Sequence, residues 1–281
     1  MISSPSIPEK LYVKDLSGKF IYIRHGQTKY NHDSASAIKK IIKTNPDYLD
    51  SRLSQKGVEQ AKHITTTVNA LDIEEVFVSP LYRALQTVTL LLENHPQVKD
   101  ITVKVHPLIT ETVSGVHDFA KNIQQSKKDF NMSSKVKIDW SLFDEIFKDE
   151  QHQDMYFLDY IDALNDKQKE EIFSKLNHTY STNKKDFPKA LGLLSKYGVD
   201  LGILRLETLT HLFKRNLEFK QFLKDKFSST ISNVNKKVLI ITHSSFTKLS
   251  TSLLAYKMDT IADFPSDIHK MGNCEMISML I

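Results

Sequence analysis

Four short runs along the chain, Phe20–Ile23, Val76–Ser79, Ile101–Val105 and Val238–Thr242, are β-branched or aromatic, and each is followed by residues at helical spacing. They have the character of buried parallel strands. Strands separated by helix-length segments need crossovers. The chain therefore predicts an α/β fold of three layers, with a mostly parallel central sheet and helices on both faces. A fifth run, CEMISMLI at 274–281, alternates and closes the chain. In the first crossover, Ser54 is placed to cap a helix whose stripe is Val58, Ala61, Ile64, Val68 and Leu71. After the second strand, Ser79 is placed to cap and Pro80 suits the first helical position. A helix over 206–227, with Leu209, Phe213, Leu217 and Phe222 on one stripe, is expected to pack on the sheet.

The stretch between the third and fourth strands is long. Three segments in it, SLFDEIFKDE, MYFLDYIDALNDKQKEEIFSKLN and FPKALGLLSKYG, carry apolar residues at three- and four-residue intervals. Lysines and acids alternate across them, as on a solvated helix face. A helical insertion over about 115–200 is expected after the third core strand, as a cap at the mouth of any site there. It belongs to a single domain spanning 1–281, with 1–18 as a loose leader. The aromatics Trp140, Phe143, Phe147, Tyr156, Phe157 and Tyr160 are expected to form core more readily than a substrate pocket.

Composition narrows the function. With 40% apolar residues over 281 positions, only eight glycines and eight prolines, and 26% charged residues, the chain is neither disordered nor fibrous. A net charge of +4 suits an anionic ligand but is too weak and scattered for nucleic acid. The one cysteine, Cys274, leaves no internal disulfide and fits a reducing compartment as a buried small residue. No window reaches the eighteen apolar residues of a membrane span. A cytoplasmic protein is expected.

In an open parallel sheet, ligands bind beyond the carboxyl ends of the strands. Arg24 and His25 end the first strand, Arg83 lies on the first turn after the second, Glu111 follows the third and His243 follows the fourth. Helix N-termini at that rim add positive dipole ends. Two arginines, two histidines and one carboxyl make a poor metal site and a good phosphoryl site. Guanidinium groups match phosphate oxygens, an imidazole can be the nucleophile, and a carboxylic acid can protonate the leaving oxygen.

Five segments, RHGQTKYN at 24–31, LSQKGVEQA at 53–61, VSPLYRALQT at 78–87, LITET at 108–112 and THSSF at 242–246, resemble the motifs of the histidine phosphatase superfamily, phosphoglycerate mutase-like branch, in that family's order. The resemblance implies that His25 is the phosphorylated nucleophile, with Arg24, Arg83 and His243 completing the phosphate pocket. Asn31, the backbone at Gly26 and Ser244 would assist, and Glu111 would donate the proton. Neither a metal nor a nucleotide cofactor is implied. The implied partner is a phosphorylated small molecule or a phosphopeptide, not a nucleic acid.

Three features depart from the mutases of the family. Gln27 stands where many carry Glu, TVSGVHDFA follows Glu111 in place of the commoner glycine-glutamate-glycine wording, and a paired-arginine segment for a substrate carboxylate is missing. A phosphatase releasing phosphate to water is expected. The alternatives are a phosphoglycerate mutase and a weakly active member serving as a structural or binding subunit. Asp118 and His117 are the stand-ins for Glu111 as acid. His32 is a further candidate for substrate contact, and the histidines at 63, 95, 106, 152, 178, 211 and 269 read as surface or packing residues.

Overall fold

The computed structural model describes residues 15–34, 43–120, 122–133, 135–176, 187–199, 206–256 and 270–279. Strands β1 (Phe20–Arg24), β2 (Asp72–Val78), β3 (Thr102–Val105) and β5 (Lys236–Thr242) form the core of a six-stranded sheet. Two further strands, β4 (Lys137–Asp139) and β6 (Met276–Met279), form its edges. The order is β4-β3-β2-β5-β1-β6, and every pair is parallel except β1 with β6. The alternation of the last run therefore belongs to an antiparallel edge strand.

Both faces of the sheet are covered, as continuous apolar strands require. On one face, Ile21, Ile23, Val76, Val78, Leu239 and Ile241 pack with helices α2 (Gln55–Asn69) and α3 (Tyr82–Leu92) and with much of the 113–176 stretch. On the other, Phe20, Tyr22, Phe77, Val238 and Ile240 meet α9 (Leu209–Lys226) and α10 (Ser244–Tyr256). The three-layer α/β architecture is the one the strand pattern predicts.

Between β3 and β5 lie α4 (Ile123–Ser133), α5 (Ser141–Ile146), α6 (Glu150–Asp154), α7 (Asp166–Leu176) and α8 (Phe187–Lys196). This insertion is helical but not wholly so, because β4 inside it pairs with β3 and extends the sheet. Lys-Ile-Asp has one apolar residue and no readable period. The aromatic group from Trp140 to Tyr160 is buried in the core, where Phe119 stacks on Phe157 with centroids 4.0 Å apart.

Three local expectations change. In α9 the buried face is Leu212, Phe213, Arg215, Asn216, Phe219 and Leu223, while Leu217 is exposed. Two polar residues on that face concealed its true centre. Helix α3 starts at Tyr82, so Pro80 precedes it, and Ser79 makes a contact at the site in place of a cap. Of the expected loose leader, residues 15–18 are held: the Ser278 amide donates to Asp15, and Lys237 Nζ donates to the carbonyls of Leu16 and Gly18. Ser54 caps α2 as expected, accepting from the Gly57 amide at 3.1 Å.

The chain after β1 lies directly on the first turn of α2. A Cβ at Gly57 would stand 2.0 Å from the Gln27 carbonyl oxygen, and one at Gly26 would stand 2.5 Å from that of Gly57. Both obstacles are backbone, so neither can swing away. Gly57→Ala is expected to destabilise the fold by about 1–3 kcal/mol, the usual cost of overpacking, read as a lower urea midpoint. An unchanged midpoint would show that helix and loop can part without cost.

Candidate active site

The parallel register places Arg24 beside Thr242, so His25 and His243 each begin the chain beyond neighbouring strand ends. The His25 amide donates to the Thr242 carbonyl at 3.0 Å, and the two imidazole rings lie 5.0 Å apart. Both are buried. The Gly26 amide donates to Thr87 Oγ1, whose hydroxyl in turn donates to the Arg83 carbonyl, tying this loop to α3. Helix α1 (Lys29–Asp33) starts in a reciprocal cap, in which Thr28 Oγ1 accepts from the Asn31 amide and Asn31 Oδ1 from the Thr28 amide.

A cavity of about 140 Å³ opens at this rim, lined by Arg24, His25, Asn31, Arg83 and Glu111 of the predicted set. His243 stands behind the lining. Its Nδ1 accepts from Arg83 Nε at 3.3 Å and its Nε2 bonds Ser79 Oγ at 2.7 Å, so the ring buttresses the guanidinium. Ser245, not Ser244, reaches the cavity. The residues that sequence reasoning passed over are Thr28, Ser51, Thr112 and Ser114, with Ser245. Only Ser245 had a signal, as the neighbour of Ser244 in THSSF. Of the stand-ins, both His117 and Asp118 line the cavity, whereas His32 is exposed and bonded to Asp33. His178 and His269 lie outside the described residues, and His95 and His106 are buried.

The hydrogen bonds fix the chemistry of His25. Its Nδ1 lies 2.7 Å from the Gly26 carbonyl oxygen. A carbonyl can only accept, so Nδ1 carries the proton and Nε2 keeps its lone pair. Burial and then the charges of Arg83 and Arg24 hold the imidazole pKa well below its usual value of 6.5, which favours the neutral ring.

Arg83 is fully enclosed. It donates from Nη1 to the His117 carbonyl at 2.6 Å and from Nη2 to Asp118 at 3.0 Å, in addition to the His243 bond. Three of its five N–H groups are used, which leaves two for a ligand. Asp118 also accepts from the Ser114 amide and hydroxyl at 3.1 and 2.8 Å. Burial raises the pKa of both carboxyls, but three donors on Asp118 against two backbone amides on Glu111 favour Asp118 as the carboxylate of the pair. Burial, with the charge of Asp118 next, raises the Glu111 pKa above its usual 4.5. The Thr112 and Ser245 amides both donate to Oε1 of Glu111, so Oε2 is the oxygen free to hold a proton.

Among the described residues, three polar atoms of those that line the cavity are buried without a partner: Arg24 Nε, Thr112 Oγ1 and His117 Nδ1. Buried polar groups are nearly always satisfied. Behind them, Cys274 is buried and its thiol pKa is pushed up to about 12, which makes it inert. His117 stacks on Tyr30 at 3.5 Å, giving the cavity one flat wall.

Fold and cavity together give an α/β protein with a polar cavity, lined by two arginines, at the carboxyl ends of its strands. Residues 20–155, just under half of the chain, match the histidine phosphatase superfamily (branch 1), the family that its motifs resemble. It is 33% identical over 94 residues to fructose-2,6-bisphosphatase TIGAR B of Danio rerio, a stretch covering 34% of either chain. It is also 29% identical over 118 residues to a protein of Schizosaccharomyces pombe named as a probable phosphatase, covering 41% of this chain and 49% of that one. The matches thus span only about a third to a half of these relatives. Among solved structures, mycobacterial glucosyl-3-phosphoglycerate phosphatase aligns with 92% of this chain and 87% of its own at 16% identity and a TM-score of 0.47. The alpha-ribazole phosphatase of Shigella flexneri aligns with 84% and 78% at 16% identity and a TM-score of 0.41. Likeness of that degree carries no argument about chemistry.

The two shifted groups predict a pH dependence. Were Glu111 the acid of a phosphate-ester cleavage it would have to be protonated, so turnover of an alkyl phosphate is expected to fall as pH rises through its raised pKa. A nucleophilic His25 would have to be neutral, so the acidic limb is then expected well below 6.5. After correction for substrate ionisation, Glu111→Gln is expected to turn over such a substrate more slowly and without the alkaline limb. A limb that persists in that variant would remove Glu111 from the acid's role.

Proposed function

We propose that the chain is a phosphomonoesterase that works through a phosphohistidine at His25. The observation that carries this reading is the Nδ1–H bond to the Gly26 carbonyl, which leaves Nε2 unprotonated on a rim shared with Arg24, Arg83 and Glu111. In the first step Nε2 attacks phosphorus and the ester P–O bond breaks. The leaving oxygen takes the proton of Glu111, while Arg24 and the two remaining N–H groups of Arg83 hold the phosphoryl oxygens. In the second step the Glu111 carboxylate takes a proton from water as that water attacks phosphorus. The P–N bond then breaks and inorganic phosphate is released.

Arg24 and Arg83 are the lining residues with permanent positive charge, and both serve the phosphoryl group. Among the described residues, no cation beyond these two lines the cavity to hold a substrate carboxylate, so water suits the site better as acceptor than a phosphoglycerate does. The hydroxyls of Thr28, Ser51, Thr112, Ser114 and Ser245 with the amide of Asn31 suit a small, polar, hydroxylated phosphate ester. The bisphosphatase name of the Danio rerio relative points to the same substrate class. No helix among the described residues is long and apolar enough to cross a membrane. On the single buried thiol we assign the protein to the cytoplasm.

Turnover of sugar phosphates in ¹⁸O-labelled water tests the reading. Label is expected in inorganic phosphate, and His25→Ala is expected to release none. Rapid interconversion of 2- and 3-phosphoglycerate with little phosphate release would favour a mutase instead. No turnover on any phosphomonoester would favour a binding or structural role.

A further inference from the structure

The largest of the fully buried side chains is a charged one that touches no part of the cavity, Arg215 on α9. Its Nε and Nη2 donate to the two oxygens of Glu207 at 2.6 and 2.8 Å, and both side chains are about 1% exposed or less. A buried pair of this kind gains little stability, since an apolar pair of similar volume serves as well or better. Its remaining bonds give it another purpose. Nη1 donates to the Leu108 carbonyl at 2.5 Å and to the Thr110 carbonyl at 3.0 Å, on the segment that leads directly into Glu111.

That segment is held from outside at nearly every carbonyl. Thr242 Oγ1, at the end of β5, donates to the Ile109 carbonyl at 2.6 Å. Beyond Glu111, the amides of Leu206 and Glu207 donate to the Val113 carbonyl at 2.8 and 3.3 Å. Glu207 thus anchors the far side of the loop through its backbone and the near side through Arg215. The guanidinium is itself fixed, lying over the rings of Tyr160 and Phe246 at 4.9 and 5.6 Å.

We propose that Arg215, paired with Glu207, is a positioning residue for catalysis: it clamps the carbonyls of Leu108 and Thr110 and thereby sets where the Glu111 carboxyl stands relative to the leaving oxygen. The proposal rests on the reading of Glu111 as the acid. A lysine at 215 would keep the charge beside Glu207, but its single ammonium has no planar fork with which to grip Glu207 and two carbonyls at once.

Leaving-group dependence separates positioning from mere packing. A p-nitrophenolate departs without a proton, whereas the alkoxide of glycerol phosphate needs one. Arg215→Lys is expected to lower kcat on glycerol phosphate by about tenfold or more, part of the roughly 10²–10⁴ that general acid catalysis supplies. On p-nitrophenyl phosphate the fall should stay within about threefold, with KM little changed on either substrate. Adding Arg215→Lys to Glu111→Gln should cost nothing further on glycerol phosphate, because the two act on one step.

A second variant, Arg215→Gln with Glu207→Gln, removes both charges together and leaves no unpaired carboxylate. It is expected to give the same selective loss. Equal losses on the two substrates, no loss on either, or insoluble protein from both variants would make the pair structural and overturn the proposal. If Glu111→Gln itself shows no leaving-group selectivity while wild type turns over both substrates, the failure lies in the reading of Glu111 and not in the clamp.

Discussion

The parallel pairing of β1 with β5 is the constraint on which the site depends. Its register sets Arg24 beside Thr242, and the chain leaves both strands at the same level. Residues more than two hundred positions apart then share one rim, and their side chains turn toward one another because the next backbone bond, His25 to Thr242, continues the ladder one step past the strand. A slip of one residue would move Ile21 and Ile23 to the opposite face and destroy the core along with the site. Sheet and site are therefore specified by the same hydrogen bonds.

Around that rim, positively charged groups are enclosed and each is answered. Arg83 is steadied by His243, the His117 carbonyl and Asp118, and Arg24 by the Met271 carbonyl at 2.7 Å. Donors fixed in advance need no reorganisation when charge develops on a phosphoryl group, which is how such sites lower a barrier. Asp118 tempers the positive charge of Arg83 and, after burial, is the next cause of the raised pKa of Glu111, so a single carboxylate acts on both groups.

Much of this was legible in the sequence because it rests on local chemistry. Apolar runs followed by Arg24, His25 and His243 announce strands that end in a polar site, and Ser54 announces the start of the helix in the first crossover. What escaped was what depends on contacts across the fold. Strand β4 exists only because β3 offers an edge. Arg215 and Asn216 look like solvent residues until Glu207, two backbone carbonyls and Ser250 are seen to satisfy them. Nothing in VHDF reveals that Asp118 meets Arg83. Ser244 and Ser245 differ only by one step of helical rotation, which decides the one that faces the cavity.

The central claim is that a buried, neutral His25 presents Nε2 because Nδ1 is held by Gly26. Rapid alkaline quenching of the protein during turnover of a good phosphomonoester, followed by phosphorus NMR and peptide mass spectrometry, tests it directly. The account predicts one phosphoryl group, on His25 and on Nε2. Phosphate on Nδ1 of His25, phosphate on His243, or turnover without any phosphoenzyme would contradict it.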